Sequence, residues 1–165
     1  MPENGSEAWN KKVPWWIDEA IVVVRDFIKP EFSVFEWGIG GSTIWFARQV
    51  VHVVSIENNK GWYDRVKGVL VNEGICNVDL KYLCNDEYTG AIGAYPDQSF
   101  DIVVVDGRMR VGCIKGAIQK VKVGGKLILD DSQRGIYKPG TDLLAGWPRV
   151  DISNGARSLS IFTRR

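Results

Sequence analysis

The chain has 165 residues, 45% of them apolar and 25% charged, and a formal net charge of +1. This is the composition of one globular domain, with enough chain to build a sheet between two helix layers. It lacks the basic excess of a nucleic-acid binder, and no apolar run approaches the ~20 residues of a membrane span. Cys76, Cys84 and Cys113 are odd in number and lack Cys-x-x-Cys spacing, so neither a disulfide framework nor a zinc site is expected. The first residues, Met1-Pro2-Glu3-Asn4-Gly5, have no signal-peptide pattern, and a reduced, cytoplasmic protein is the reading.

In chain order, Pro14 opens a helix that places Ile17, Ala20, Ile21, Val24 and Ile28 on one face and ends at Lys29-Pro30. Residues 1–30 are thus a helical extension of a single domain spanning 1–165. A strand (33–37), a helix (42–50), a second strand (52–57) and a second helix (60–73) follow. Asn77–Leu83 is a third strand, and a polar connection over 84–98 leads to Phe100–Val105. That continuous β-branched run reads as a central strand buried on both faces. A helix over 111–121 and a strand at Lys126–Leu129 complete the alternation. Runs at 149–152 and 158–162 around Asn154-Gly155 then read as a hairpin. No internal repeat is seen.

The most informative stretch is Glu36-Trp37-Gly38-Ile39-Gly40-Gly41-Ser42-Thr43, a glycine turn between the first strand and its helix. Such a turn brings helix-terminal backbone amides up to an anionic ligand group. The second strand ends in Glu57, the position at which nucleotide-binding α/β folds hold ribose hydroxyls. A dinucleotide site would carry a third glycine where this chain has Thr43. An acid directly before the turn suits a pyrophosphate poorly but an ammonium group well.

At these residues the chain resembles the class I S-adenosylmethionine-dependent methyltransferases, from about Ser33 to the C-terminus. The resemblance implies a doubly wound, Rossmann-like α/β fold, with a mostly parallel seven-stranded sheet, a C-terminal antiparallel hairpin and helices on both faces. It implies that Glu36 binds the ammonium of S-adenosylmethionine. Gly38, Gly40, Gly41 and Ser42 would form the turn, with the amides of Gly40, Gly41 and Ser42 facing the donor's carboxylate. Glu57 would hold both ribose hydroxyls, Asn58 would lie against the adenine ring, and Asp86 or Glu87 would accept from its amine.

Asp106, Asp130 and Asp131 close the fourth and fifth strands. Three gathered carboxylates call for a cation or a proton, and hard oxygen ligands suit Mg²⁺. This is similar to the catechol O-methyltransferase-like branch, which implies that Asp106, Asp130 and Asp131 hold Mg²⁺. The branch's catalytic lysine has no counterpart, since Met109 stands there. Without the metal, Asp106 or Asp130 is the candidate base. Arg108, Arg110, Arg134 and Tyr137 are the candidate substrate contacts, the last two on a 132–140 loop expected to be mobile. His52, the only histidine, belongs at the far end of the sheet, which disfavours a Ser-His-Asp hydrolase. Trp15 and Trp16 cannot both face one core, so one is expected to line a partner surface or the cleft.

The leading expectation is a methyltransferase with a small-molecule acceptor, no nucleic-acid or membrane partner, and compatibility with a homo-oligomer. The rivals are a non-catalytic S-adenosylmethionine-binding subunit and an NAD-dependent oxidoreductase.

Overall fold

The computed structural model describes residues 3–165, with side chains from residue 6 onward. Seven strands form one sheet: β1 (Ser33–Trp37), β2 (His52–Glu57), β3 (Val78–Tyr82), β4 (Phe100–Val105), β5 (Val121–Leu129), β6 (Arg149–Ser153) and β7 (Ser158–Thr163). Their order is β3-β2-β1-β4-β5-β7-β6. The first five run parallel, and β7 enters antiparallel to β5 and pairs with β6 as a hairpin. The sheet reverses its direction of growth between β1 and β4, the switch point where open α/β sheets bind ligands beyond their strand ends.

The helices are α1 (Glu3–Lys11), α2 (Asp18–Phe27), α3 (Gly41–Ala47), α4 (Lys60–Asn72), α5 (Asn85–Gly90), α6 (Arg110–Ala117) and α7 (Lys138–Asp142). Alternation along β4 explains the layering. Ile102 and Val104 pack with α2 and α3 residues such as Val24 and Phe46. Val103 and Val105 pack on the other face with Ile114 and Ala117 of α6. All four are fully buried, each contributing about 1.5–3 kcal/mol of apolar burial. Parallel strands covered on both faces must be apolar throughout, as β4 is.

Four features depart from the sequence-based expectation. Residues 3–11 form α1, which docks through the buried Trp9 against Trp62 of α4, ring to ring at 5.5 Å. Strand β5 begins five residues earlier than expected, because Gly124 takes φ +80° and lets the strand bulge through the Gly-Gly pair. Residues 84–94 hold α5 and a 3₁₀ turn. Most consequentially, 135–142 form a 3₁₀ turn and α7 packed on α6, with Gly140 buried against Val111 and Ile114. That segment has regular structure where a loop was expected.

Candidate functional site

The glycine turn is built over a buried acid. Gly38 adopts φ +87°, and a β-carbon there would sit 2.7 Å from Gly107 Cα, so the ends of β1 and β4 touch backbone to backbone. Glu36 lies beneath the turn with no exposed surface. The hydroxyls of Ser42 (2.9 Å), Ser55 (2.7 Å) and Thr43 surround its two carboxylate oxygens. Burial pushes its pKa from 4.5 up to about 7, with the three hydroxyls acting in the opposite direction. This carboxyl is enclosed by the three hydroxyls and anchors the turn from below.

Above the turn the two flanks differ. A β-carbon on Gly41 would lie 2.1 Å from the Val13 carbonyl oxygen, so the chain between α1 and α2 covers that side. A β-carbon on Gly40 would meet nothing within 4 Å, which leaves that side open to a ligand. Ser42 is buried with its hydroxyl turned to Glu36.

Glu57 stands where a ribose-binding acid would. Its Oε1 accepts from the backbone N–H groups of Asn58 (2.8 Å) and Asn59 (2.6 Å), and its Oε2 from Ile39 in the glycine turn (3.2 Å). An ionised carboxylate has about four acceptor positions, so one remains, and yielding the long Ile39 contact frees a second. Two hydroxyls of a ribose fit that capacity. Asn58 is half-buried beside it, and Asp86 is exposed in the first turn of α5. The Leu83 N–H bonded to the Glu57 carbonyl (2.9 Å) holds the chain leading to Asp86 against the end of β2.

The acids after β4 and β5 form the second half of the site. The Asp106 N–H donates to the Trp37 carbonyl and the Asp130 N–H to the Val105 carbonyl, so adjacent strands set the two acids side by side. Their carboxyls interact electrostatically. Asp130 Oδ1 is buried and has no hydrogen-bond partner among the described residues. Burial first, and then the charge of Asp130, push the Asp106 pKa well above the usual carboxylate range. Burial also raises Asp130, against the pull of Arg157. Like charges placed this way out of water disfavour ionisation of both groups together. The Trp16 indole N–H donates to Asp106 Oδ2 at 3.2 Å, bringing the N-terminal extension into the site.

Asp131 is turned elsewhere. Arg157 Nε donates to its Oδ1 (3.0 Å), and Arg134 pairs with its Oδ2 (2.8 Å). Arg157 Nη2 also reaches Asp130 Oδ2 at 2.7 Å. Among the described residues, no group of three His, Cys, Asp or Glu side chains is arranged to hold a metal ion. The expected Mg²⁺ site on Asp106, Asp130 and Asp131 is not supported: Arg110 pairs with Asp106, Arg157 with Asp130, and Arg134 and Arg157 with Asp131.

Arg110 is also reassigned. It is buried, and its guanidinium donates to the carbonyls of Gly107 (2.9 Å), Asp106 (3.0 Å) and Asp130, and to Asp106 Oδ1 (3.3 Å). This latches the strand ends together and leaves little for a substrate. Arg108 and Arg134 are exposed, and Tyr137 is half-buried beneath Arg110, 5.1 Å from ring to guanidinium. All four of these residues line one cavity of about 740 Å³ with Met109 and Ile136. A second cavity of about 460 Å³ lies between the α1–α2 connection and the β6–β7 turn, with Trp15, Trp16 and Arg157 in its wall. Trp16 is buried and Trp15 exposed, and Arg157 lies 5.4 Å over the Trp15 ring, so the two tryptophans divide as expected.

Two site residues, Arg157 and the buried hydroxyl of Ser55, were not identified from the sequence. Both are visible only once the strand order is known. Ser55 is opposite Glu36 in the β1–β2 register. The β6–β7 turn returns to the carboxyl end of β5, where Leu129 pairs with Ser160.

No protein-family model matches the chain, and no curated protein does. Solved structures match its fold across nearly its whole length. A putative methyltransferase from Streptococcus mutans, in complex with S-adenosylhomocysteine, superposes with a TM-score of 0.69 at 13% identity, covering 90% of this chain and 99% of that one. An S-adenosylmethionine-dependent O-methyltransferase from Thermotoga maritima gives 0.68 at 14% identity, covering 99% of this chain and 72% of that one. A methyltransferase-like protein from Silicibacter pomeroyi gives 0.66 at 21% identity, covering 100% and 88%. The chain therefore has the class I S-adenosylmethionine-dependent methyltransferase fold, with the seven-stranded mixed sheet that the sequence implied. Among the described residues no helix is long and apolar enough to cross a membrane.

Proposed function

We propose that this protein is an S-adenosylmethionine-dependent methyltransferase acting on a small-molecule acceptor. The observation that carries the reading is Glu57 bonded to Ile39 of the glycine turn, a carboxylate with capacity for two hydroxyls beside the open flank of Gly40. Thr43 disfavours a dinucleotide, because its buried side chain, tied to Glu36, stands where a third glycine would let the helix pack close against the strand.

S-adenosylmethionine, when bound, supplies a methyl group on a sulfonium centre, and displacement there depends chiefly on alignment. In this chain Glu57 orients the nucleoside part, and the turn held by Glu36 presents backbone amides to a carboxylate. The Asp106–Asp130 pair is placed to take a proton from the acceptor as it becomes nucleophilic. Trp16 and Arg110 hold Asp106 in position. A proton-accepting pair at the switch point favours an enzyme over a subunit that only binds the donor. A net charge of +1 favours a small acceptor over a nucleic acid.

The test is incubation with methyl-labelled S-adenosylmethionine and a small-metabolite extract. Label should move into the small-molecule fraction with the wild type and not with Asp130→Asn. Label transferred to protein or RNA alone would assign a different acceptor, and no transfer to any fraction would favour the binding-subunit alternative.

A further inference from the structure

Every charged side chain that lines the cavity beside α6 is cationic. Its wall runs from Gly107 to Gly112 and from Arg134 to Tyr137, with Arg108, Arg110 and Arg134 and no acid. Arg110 is committed to the strand ends, but the Arg108 guanidinium makes no hydrogen bond or ion pair among the described residues, and the Arg134 side chain is half exposed on Asp131. The apolar lining is equally conspicuous. Met109 and Ile136 are 46% and 71% exposed, large side chains left in water at the cavity's edge. A cavity of about 740 Å³ is the size of a small-molecule site. Its wall includes Gly107, the residue that follows Asp106 in the chain.

We propose that this cavity receives the acceptor, and that the acceptor is a small organic anion: an apolar body against Met109 and Ile136, carrying a carboxylate or phosphate held by Arg108 and Arg134. The guanidinium fork matches either group in a bidentate geometry. The proposal rests on the methyltransferase reading and specifies its acceptor class. Arg108 is the specificity-determining residue, because it is the cation there that no protein acid neutralises.

Titration of the isotope-labelled full chain at constant ionic strength tests this, read by backbone amide shifts. The probes are benzoate, its uncharged analogue benzyl alcohol, and inorganic phosphate, with S-adenosylhomocysteine titrated in parallel. Benzoate should shift residues 107–112 and 134–137 and bind about tenfold more tightly than benzyl alcohol, the difference one charge-assisted interaction makes. Phosphate should bind more weakly than benzoate, having no apolar body. Arg108→Ala, an exposed position whose side chain supports no packing, should weaken benzoate about tenfold and leave benzyl alcohol and S-adenosylhomocysteine unchanged. Equal binding of benzoate and benzyl alcohol, indifference of benzoate to Arg108→Ala, or shifts confined to the Trp15 and Arg157 cavity would each overturn the proposal. If S-adenosylhomocysteine binds and benzoate does not, only the acceptor class fails. If benzoate binds and S-adenosylhomocysteine does not, the methyltransferase reading fails instead.

Discussion

Arg157 donates to Asp130 at 2.7 Å from a hairpin turn 27 residues further along the chain, clamping the acid after β5 from above. Its Nε holds Asp131 at the same time, so one planar group fixes two neighbouring carboxylates. Arg157→Ala would strand Asp130, 3% exposed, without its counter-charge. A destabilisation of about 2 kcal/mol is expected, below that of a fully buried pair because the guanidinium is partly in water. Arg157→Lys should recover less than half of it, since an ammonium cannot span both acids. Chemical denaturation checks both; full recovery by lysine would mean that charge alone matters.

The Asp106–Asp130 pair should titrate above ordinary carboxyls. Both groups are raised, so the pair retains a proton in the folded state at pH values where the unfolded chain has lost it. A raised carboxyl contributes stability below its unfolded pKa and loses that contribution as pH rises through the folded value. Side-chain carboxyl carbon NMR should show Asp106 titrating well above the usual carboxylate range, and Asp130→Asn should bring Asp106 part of the way back down, since the Asp130 charge is the second cause of its rise after burial. Both resonances titrating in the ordinary carboxylate range would contradict this.

Glu36 gives a second pH-dependent contribution of the same sign. Its pKa is about 7 against 4.5 unfolded, so its contribution falls between roughly pH 4 and 8. Relative to Glu36→Gln, which carries no charge, the wild type should lose roughly 3 kcal/mol over that window. Paired denaturation curves at pH 4.5 and 8 measure it. A stability difference that does not change with pH would show that Glu36 stays ionised.

Gly41 is where the N-terminal extension seats on the turn. A methyl group there collides with the Val13 carbonyl, and backbone on both sides leaves little room to yield. Gly41→Ala should destabilise the protein by about 2 kcal/mol and loosen the 13–16 segment, seen as increased solvent exposure of Trp16. Gly40→Ala, with open space, should leave Trp16 buried. Equal effects of the two would mean that the segment is not anchored at Gly41.

Much of this architecture was legible because the signals were local. The glycine turn between β1 and α3, the acid closing β2 and the apolar run of β4 each lie within a few consecutive residues. Helix α1 was not, because its nine residues offer little apolar surface beyond Ala8 and Trp9, and its docking depends on Trp62. Gly135, Pro139 and Gly140 read as a mobile loop, yet Gly140 is small in order to approach Ile114 closely, a reason found only in α6. The roles of the acids were legible least. Sequence places Glu36 before the turn but does not show the hydroxyl of Ser55 arriving from the next strand to enclose it. Nor does it show Arg157 reaching Asp131, which removes the site offered to a metal.

The most direct test is calorimetric titration of S-adenosylhomocysteine into the wild type and Glu57→Ala, with NAD as the control ligand. The fold and Glu57 predict that the wild type binds S-adenosylhomocysteine, and Thr43 in place of a third turn glycine predicts that it does not bind NAD. They also predict that Glu57→Ala weakens that binding by about 2–3 kcal/mol, the loss of two hydrogen bonds to a charged group. Tight NAD binding without S-adenosylhomocysteine binding, or an affinity untouched by Glu57→Ala, would contradict it.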